Sequence, residues 1–437
     1  MSIIEFFNSS PFIISALSRL KDESAHLKID NLQGFSLPLF LYSTAAVMPL
    51  PFLVILPDMD LINRLEEELA FINSVEGKKL AIEVFPDYDL PEINNPSVMR
   101  DVRCRRLRVL DRIYRMANFS QMILLTTHSA VIRRTLSREQ YLDRTREIEV
   151  GDKINIEELM NFLAAVGYEP SAAVEREGQF SRRGGLIDVF PPTVDAPVRI
   201  EFIGNKVEAI RPFNVETQRS RTRVKQAVLA PAWEAAEYPS VPPDWMRADH
   251  KEFISHKVSF DGAILYPEIF SASTIIYNEI SPARVIIVDS DDVREKFNEK
   301  IERDETFLTK DGFAAPQEIL KGIYNFEHAN DLQANPVFID TRPNETDDEG
   351  AAPLRRLPPL PLDLNSIASI LRDECKKAKV LIVSRYRRRL EHFLEQEGIF
   401  PSAMWEGDVQ GGFHLDDVPL ALFADSEIFL RRPHTPV

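Results

Sequence analysis

Val198-Arg199-Ile200-Glu201-Phe202-Ile203-Gly204-Asn205-Lys206-Val207-Glu208-Ala209 alternates apolar and polar side chains on either side of a Gly-Asn pair. A strand repeats every two residues, so Val198, Ile200 and Phe202 share a core-facing side, and Arg199, Glu201 and Ile203 share the other. Gly204 and Asn205 tolerate positive φ, which predicts a two-residue hairpin turn. In that register Phe202 faces Val207, Ile200 faces Ala209, Ile203 faces Lys206 and Glu201 faces Glu208. Opposed carboxylates repel by about a few tenths of a kcal/mol, so Arg199 and the preceding Arg183 are expected to lie between them. Two arginines, two glutamates and an exposed isoleucine suit a protein-binding face: charges for steering and register, an apolar anchor for affinity. On pattern alone they also describe an ordinary solvated sheet face.

Around this hairpin, residues 172–213 hold short alternating strands with Gly turns, preceded by a helix at 156–166, which predicts a β-rich domain. Residues 35–146 read differently. Apolar runs at 52–56, 80–85 and 122–125 alternate with amphipathic stretches at 60–73 and 100–116, the rhythm of a parallel α/β sheet. A further buried strand is expected at 285–288. Residues 341–361 carry five prolines and the acidic run Asp347-Asp348-Glu349, which predicts a linker. A last α/β unit follows, with helices at 364–377 and 385–396 and strands at 380–384 and 420–424.

The chain has 437 residues, enough for roughly three or four domains. Its net charge of −16 opposes general binding to polyanions. Cys104 and Cys375 stand far apart without neighbouring ligands, so neither a disulfide framework nor a zinc site is expected. No leader or membrane-spanning run is legible, and a cytoplasmic location is expected.

Gly178-Gln179-Phe180, Arg183-Gly184-Gly185, Ile187-Asp188, Phe190-Pro191, Arg199, Glu201-Phe202, Gly204, Phe213 and Gln218-Arg219-Ser220 together resemble the homology module shared by bacterial UvrB and transcription-repair coupling factors. The resemblance implies docking on UvrA through Arg183, Arg199 and Ile203, with Glu201 and Glu208 setting the register of the arginines. UvrB itself resembles a helicase, whose phosphate loop needs glycines and a lysine. The stretch taken as its equivalent here, residues 41–51, has neither. The cluster Asp289-Ser290-Asp291-Asp292 at a strand end then reads as a solvated terminus, since a nucleotide site needs both halves. Residues 93–99 are too few for the UvrB DNA clamp, and the arginines of 100–115 are interleaved with Asp101 and Asp111, which favours local ion pairs over a phosphate stripe.

Loss of site and clamp is similar to the N-terminal part of coupling factors, as are Gly411-Gly412-Phe413 and residues 419–432. The implied fold is multidomain α/β: a degenerate helicase-like, UvrB-like parallel domain with an inserted β-rich UvrA-binding domain and a C-terminal small α/β domain. The expected division is 1–146 and 233–340 for the two halves of the first, 147–232 for the insert, 341–361 for the linker and 362–437 for the last. The resemblance implies a non-catalytic recruiter of UvrA in transcription-coupled nucleotide excision repair, with no cofactor. ATP, magnesium, DNA and RNA polymerase belong to domains of the family absent from this chain. A UvrB-like damage-binding ATPase and a stand-alone UvrA-binding regulator are the alternatives.

Overall fold

The computed structural model describes residues 2–22, 27–78, 80–92, 95–115, 121–234, 274–310, 316–326, 336–342, 351–361 and 363–429. Its largest sheet has six strands, all parallel: β1 (Leu27–Ile29), β2 (Phe52–Leu56), β3 (Ala81–Phe85), β4 (Met122–Thr127), β14 (Arg284–Val288) and β15 (Val337–Ile339). They lie in the order β1-β15-β14-β2-β4-β3. The unbroken apolar run of β2 is buried throughout because helices cover both faces of the sheet. Helices Ser36–Val47 and Met59–Glu76 pack on one face, and Pro96–Arg115 on the other. Met59–Glu76 starts at Asp58, whose carboxylate accepts the Leu61 N–H, and stops at Gly77 in the left-handed region.

The chain leaves this sheet after β4 and re-enters it at β14. Between them lie β5 (Arg134–Thr135), β6 (Arg146–Glu149), β7 (Glu169–Pro170), β8 (Gln179–Arg183), β9 (Leu186–Val189), β10 (Val198–Ile203), β11 (Lys206–Pro212), β12 (Gln226–Leu229) and β13 (Thr274–Ile275). A five-stranded sheet, β11-β10-β9-β8-β7, forms the body of this segment, and β6 pairs with β12 beside it. Its inner face buries Phe180, Ile187, Ile200 and Val207 against Leu159 and Leu163 of helix Ile156–Ala165. This core is continuous with the side of the large sheet that carries Leu53 and Leu124. After Glu234 the next described residue is Thr274.

The final unit is a mixed sheet ordered β16 (Leu354–Arg356), β19 (Phe413–Leu415), β20 (Leu420–Phe423), β17 (Lys379–Val383) and β18 (Ala403–Trp405). The expected linker at 341–361 is corrected at its second half. There Leu354–Arg356 is a strand, and Leu357 and Leu360 are buried in the core of this last unit. Prolines flank the strand, where no ladder N–H is lost. The acidic run Asp347-Asp348-Glu349 lies outside the described residues. No described helix is long and apolar enough to cross a membrane.

Candidate protein-binding face

The outward side of β8–β11 carries every residue that the sequence singled out for binding. Turns at Gly184-Gly185 and Gly204-Asn205 close the two hairpins at the same end of the sheet. Gly185 is dictated by proximity: a Cβ there would sit 2.8 Å from the Phe202 carbonyl oxygen. Cross-strand pairing aligns Arg183, Leu186 and Glu201 in one row, and Ser181, Asp188, Arg199 and Arg211 in the next. Directly opposed residues share a face, so both rows point the same way.

The register differs from the expected one. Ile203 faces Lys206 and Phe202 faces Val207, as the turn predicts, but a bulge between Glu201 and Phe202 then sets Glu201 opposite Ala209 and Ile200 opposite Ile210. Glu208 is the extra residue, without a cross-strand partner, and Ala209 and Ile210 are both buried as a result. The anticipated Glu201–Glu208 repulsion does not arise. Glu201 instead forms an ion pair with Arg211, and neither Arg183 nor Arg199 lies between the glutamates.

Arg199 is held by Asp188. Its Nε and Nη2 donate to the two carboxylate oxygens at 2.7 and 2.8 Å, and its guanidinium lies 4.7 Å from the centre of the Phe213 ring. The hydrogen bonds to Asp188 raise the arginine's pKa further. Asp188 is 3% exposed, so the fork is fixed while Nη1 stays toward the surface, near the Gln218 carbonyl and Ser220 Oγ. Arg183 differs: it is exposed and its side chain has no hydrogen bond or ion pair among the described residues. Ile203 is 69% exposed, and Leu186, diagonally across the strands, is 36% exposed. The face therefore offers a free guanidinium, a pre-oriented one and two apolar side chains. Asp188, Arg211 and Leu186 were missed as members of it: strict alternation from Lys206 would turn Arg211 inward, and only the bulge brings it to this side, opposite Arg199.

The stretch compared with a phosphate loop, residues 41–51, is misplaced. Most of it belongs to the buried helix Ser36–Val47 and the turn after it. In a parallel sheet the anion-binding position is the loop between a strand and the N-terminus of the next helix, here residues 30–35 after β1. That loop has one glycine, Gly34, and no lysine. A Cβ on Gly34 would lie 2.7 Å from each of the carbonyl oxygens of Gln410 and Gly411, and the Phe35 N–H donates to Gly411 at 3.2 Å. A turn of the last unit thus presents carbonyl oxygens where a phosphate would need donors. At the end of β14, Asp289 accepts the Thr341 N–H and hydroxyl, both at 2.8 Å, while Asp291 pairs with Arg294 and Asp292 with Arg342. A cavity of about 620 Å³ lies here, lined by Asn31, Arg64, Glu68, Asp289, Arg342 and Arg356 among others.

The arginines of helix Pro96–Arg115 are engaged within the chain. Arg105 pairs with Glu66, Arg112 with Glu83 and Arg115 with Glu147. Arg106 is fully buried on Glu234, and Arg103 lies over the Trp233 ring at 4.8 Å. They tie the helix to the sheet and to both ends of the β-rich segment, a tertiary role beyond the local pairs expected.

The UvrB interaction domain family matches residues 147–234. A transcription-repair-coupling factor of Bacillus subtilis (strain 168) is 36% identical over 134 residues, which are 31% of this chain and 11% of that protein. Those of Staphylococcus aureus (strain MSSA476) and Staphylococcus haemolyticus (strain JCSC1435) are 37% and 38% identical over 94 residues, 22% of this chain and 8% of each relative. The matched part thus spans about a tenth of the length of these relatives. The face described above lies wholly inside residues 147–234, the part that matches the UvrB interaction domain family, in a chain of which about a third or less is similar to transcription-repair-coupling factors.

Proposed function

We propose that this chain recruits UvrA in transcription-coupled nucleotide excision repair, in the cytoplasm, through Arg183, Arg199 and Ile203. One observation carries the reading: within the segment that matches the UvrB interaction domain, Arg183, unpaired among the described residues, and a highly exposed Ile203 share a face with an arginine already locked in place. A protein that keeps a large apolar side chain in water beside pre-oriented donors has the anatomy of an anchor with polar surroundings. Glu201 supports the face by holding Arg211, and Glu208 stands at the bulge as a solvent-facing charge.

In this proposal residues 1–146 and 233–340 make one UvrB-like domain interrupted by the UvrA-binding insert, a division supported by the strand order of the large sheet. The chain binds and does not hydrolyse: the turn at Gln410 and Gly411 packs on Gly34, and Thr341 occupies Asp289. ATP, magnesium, movement along DNA and contact with RNA polymerase are left to other domains of the coupling factors.

The test is binding of purified UvrA to immobilised chain, wild type against Arg183→Ala and Arg199→Ala. Each substitution is expected to weaken binding by about 2 kcal/mol, roughly 30-fold. Unchanged affinity in the double variant refutes the site. Titration with labelled ATP checks the other half, since saturable low-micromolar binding contradicts a non-catalytic role.

A further inference from the structure

Between β11 and β12 the chain reads Arg219-Ser220-Arg221-Thr222-Arg223-Val224-Lys225, four cations in seven residues of a protein whose net charge is −16. All four are exposed, and among the described residues none of their side chains has a hydrogen bond or ion pair. Other arginines of the same unit behave differently: Arg182 is paired with Glu157, Arg199 with Asp188 and Arg211 with Glu201.

The backbone around the cations is not loose. The Arg221 N–H donates to the Pro212 carbonyl at 2.7 Å and the Val224 N–H to the Ile210 carbonyl at 2.9 Å. Lys225 in turn accepts from the Val150 N–H at 2.9 Å. Ser220 bridges to Phe213 and Val224 to Ile210, so the segment runs antiparallel beside β11. Val224 turns onto the core, and its neighbours Arg223 and Lys225 point away from it. At its start the segment touches the hairpin face, since Gln218 and Ser220 are the groups nearest Nη1 of Arg199. Arg223 and Lys225 therefore lie outward beside the face, and Arg219 and Arg221 are exposed on the same segment, whose backbone is fixed to the sheet edge.

We propose that Arg219, Arg221, Arg223 and Lys225 are an electrostatic arm of the docking face, and that they meet an acidic patch on the same protein that the hairpin docks. This rests on the UvrA reading above. Four like charges kept close together and unpaired repel one another in the free chain, and an anionic partner relieves that repulsion. An acidic protein surface fits better than nucleic acid on two counts. The segment has no aromatic side chain on which a base could stack, and the exposed Glu208 and Glu216 beside it, with the negative chain as a whole, repel an extended polyanion. Charges at an interface edge act mainly on association rate and its salt dependence.

The experiment uses the full chain with Arg219, Arg221, Arg223 and Lys225 all changed to Gln, an exposed set whose loss should leave the melting temperature unchanged. Association with purified UvrA is followed by stopped flow from low to high salt. The expected result is a kon lowered about tenfold or more at low salt and nearly salt-independent, with koff within about twofold of wild type. Arg183→Ala with Arg199→Ala should instead raise koff. An unchanged kon in the Gln variant, with the arginine pair still weakening binding, overturns the arm and leaves the face standing. A lowered kon with no effect of the arginine pair overturns the hairpin reading and keeps the arm. Absence of any binding between the wild-type chain and UvrA overturns both. Binding of the wild-type chain to a duplex oligonucleotide, with a log–log salt slope shallower by about 3.6 in the variant, overturns the protein partner in favour of phosphates.

Discussion

Replacing Arg106 with Met should unfasten the β-rich insert from the large sheet. Arg106 is fully buried; its Nε and Nη2 donate to the Glu234 carboxylate at 2.7 and 3.0 Å, and Nη1 donates to the Pro86 carbonyl at 2.8 Å. Glu234, whose side chain is 11% exposed, also accepts from Tyr88 and Thr135 hydroxyls at 2.8 and 2.9 Å. The arginine lies 4.0 Å from the centre of the Phe85 ring, so its removal costs packing as well as charge. Met restores much of the volume and leaves a nearly buried carboxylate with two neutral donors. Stranding one member of such a pair costs about 3–5 kcal/mol. For a cooperative unit of 150–250 residues that is a fall of roughly 6–20 °C in melting temperature. Glu234→Gln added to Arg106→Met removes the stranded charge and should recover most of the loss. Differential scanning calorimetry of the wild type, the single and the double variant decides. A single variant melting within a degree or two of wild type, or a double variant melting as low as the single, refutes the claim that the desolvated carboxylate sets the cost.

The remaining expectations are shorter. Asp188→Asn should free Arg199 and weaken UvrA binding, but should have no further effect once Arg199 is Ala; additive losses in that double-mutant cycle would mean that Asp188 acts on the fold and not on the guanidinium. Burial pushes the Glu68 carboxyl up from 4.5 to about 8, so the folded state holds this proton more tightly, and stability falls as pH rises from about 4.5 to about 8 and levels off above. Glu68→Gln keeps an acceptor for the Gln410 N–H, bonded at 2.7 Å, and should match wild type near pH 4 while gaining on the order of a few kcal/mol at pH 8, read by chemical denaturation at both pH values. Equal stabilities at pH 8 would contradict it. Gly34→Ala places a methyl against two carbonyl oxygens at a φ of +54°, so it should loosen the last unit from the sheet and lower the melting temperature; an unchanged melting temperature would show that the contact yields without cost.

Much of the scaffold was legible because local pattern and burial agree. The continuous apolar run Phe52–Leu56 has no reading other than a strand covered on both faces, and Leu364–Lys377 carries the apolar spacing of a helix packed on one side. Alternation placed Arg199, Glu201 and Ile203 on one face, and the Gly-Asn turn paired Phe202 with Val207. The reading failed where one residue of register mattered. A bulge cannot be seen in a polar-apolar string, yet it removed Glu208 from Glu201 and brought Arg211 there instead. The phosphate-loop comparison failed for a related reason: the three-residue strand Leu27–Ile29 is too short to stand out in the sequence, and only it locates the strand-to-helix loop at 30–35 and not at 41–51.

What the sequence determined by itself was the set of surfaces: which strands are buried on both sides, which side of the hairpin faces water, and that seven residues from Arg219 carry four cations. Those follow from side-chain period and composition, properties local to a few residues. Tertiary structure alone decided the partners. Arg199 belongs to Asp188, Arg106 to Glu234 and Gly34 to the turn at Gln410 and Gly411, while Arg183 and the four cations after Gln218 are left to solvent. Pairing at long sequence separation depends on which elements the core brings side by side, and a difference of one residue in register decides whether a charge is spent inside the molecule or kept for another.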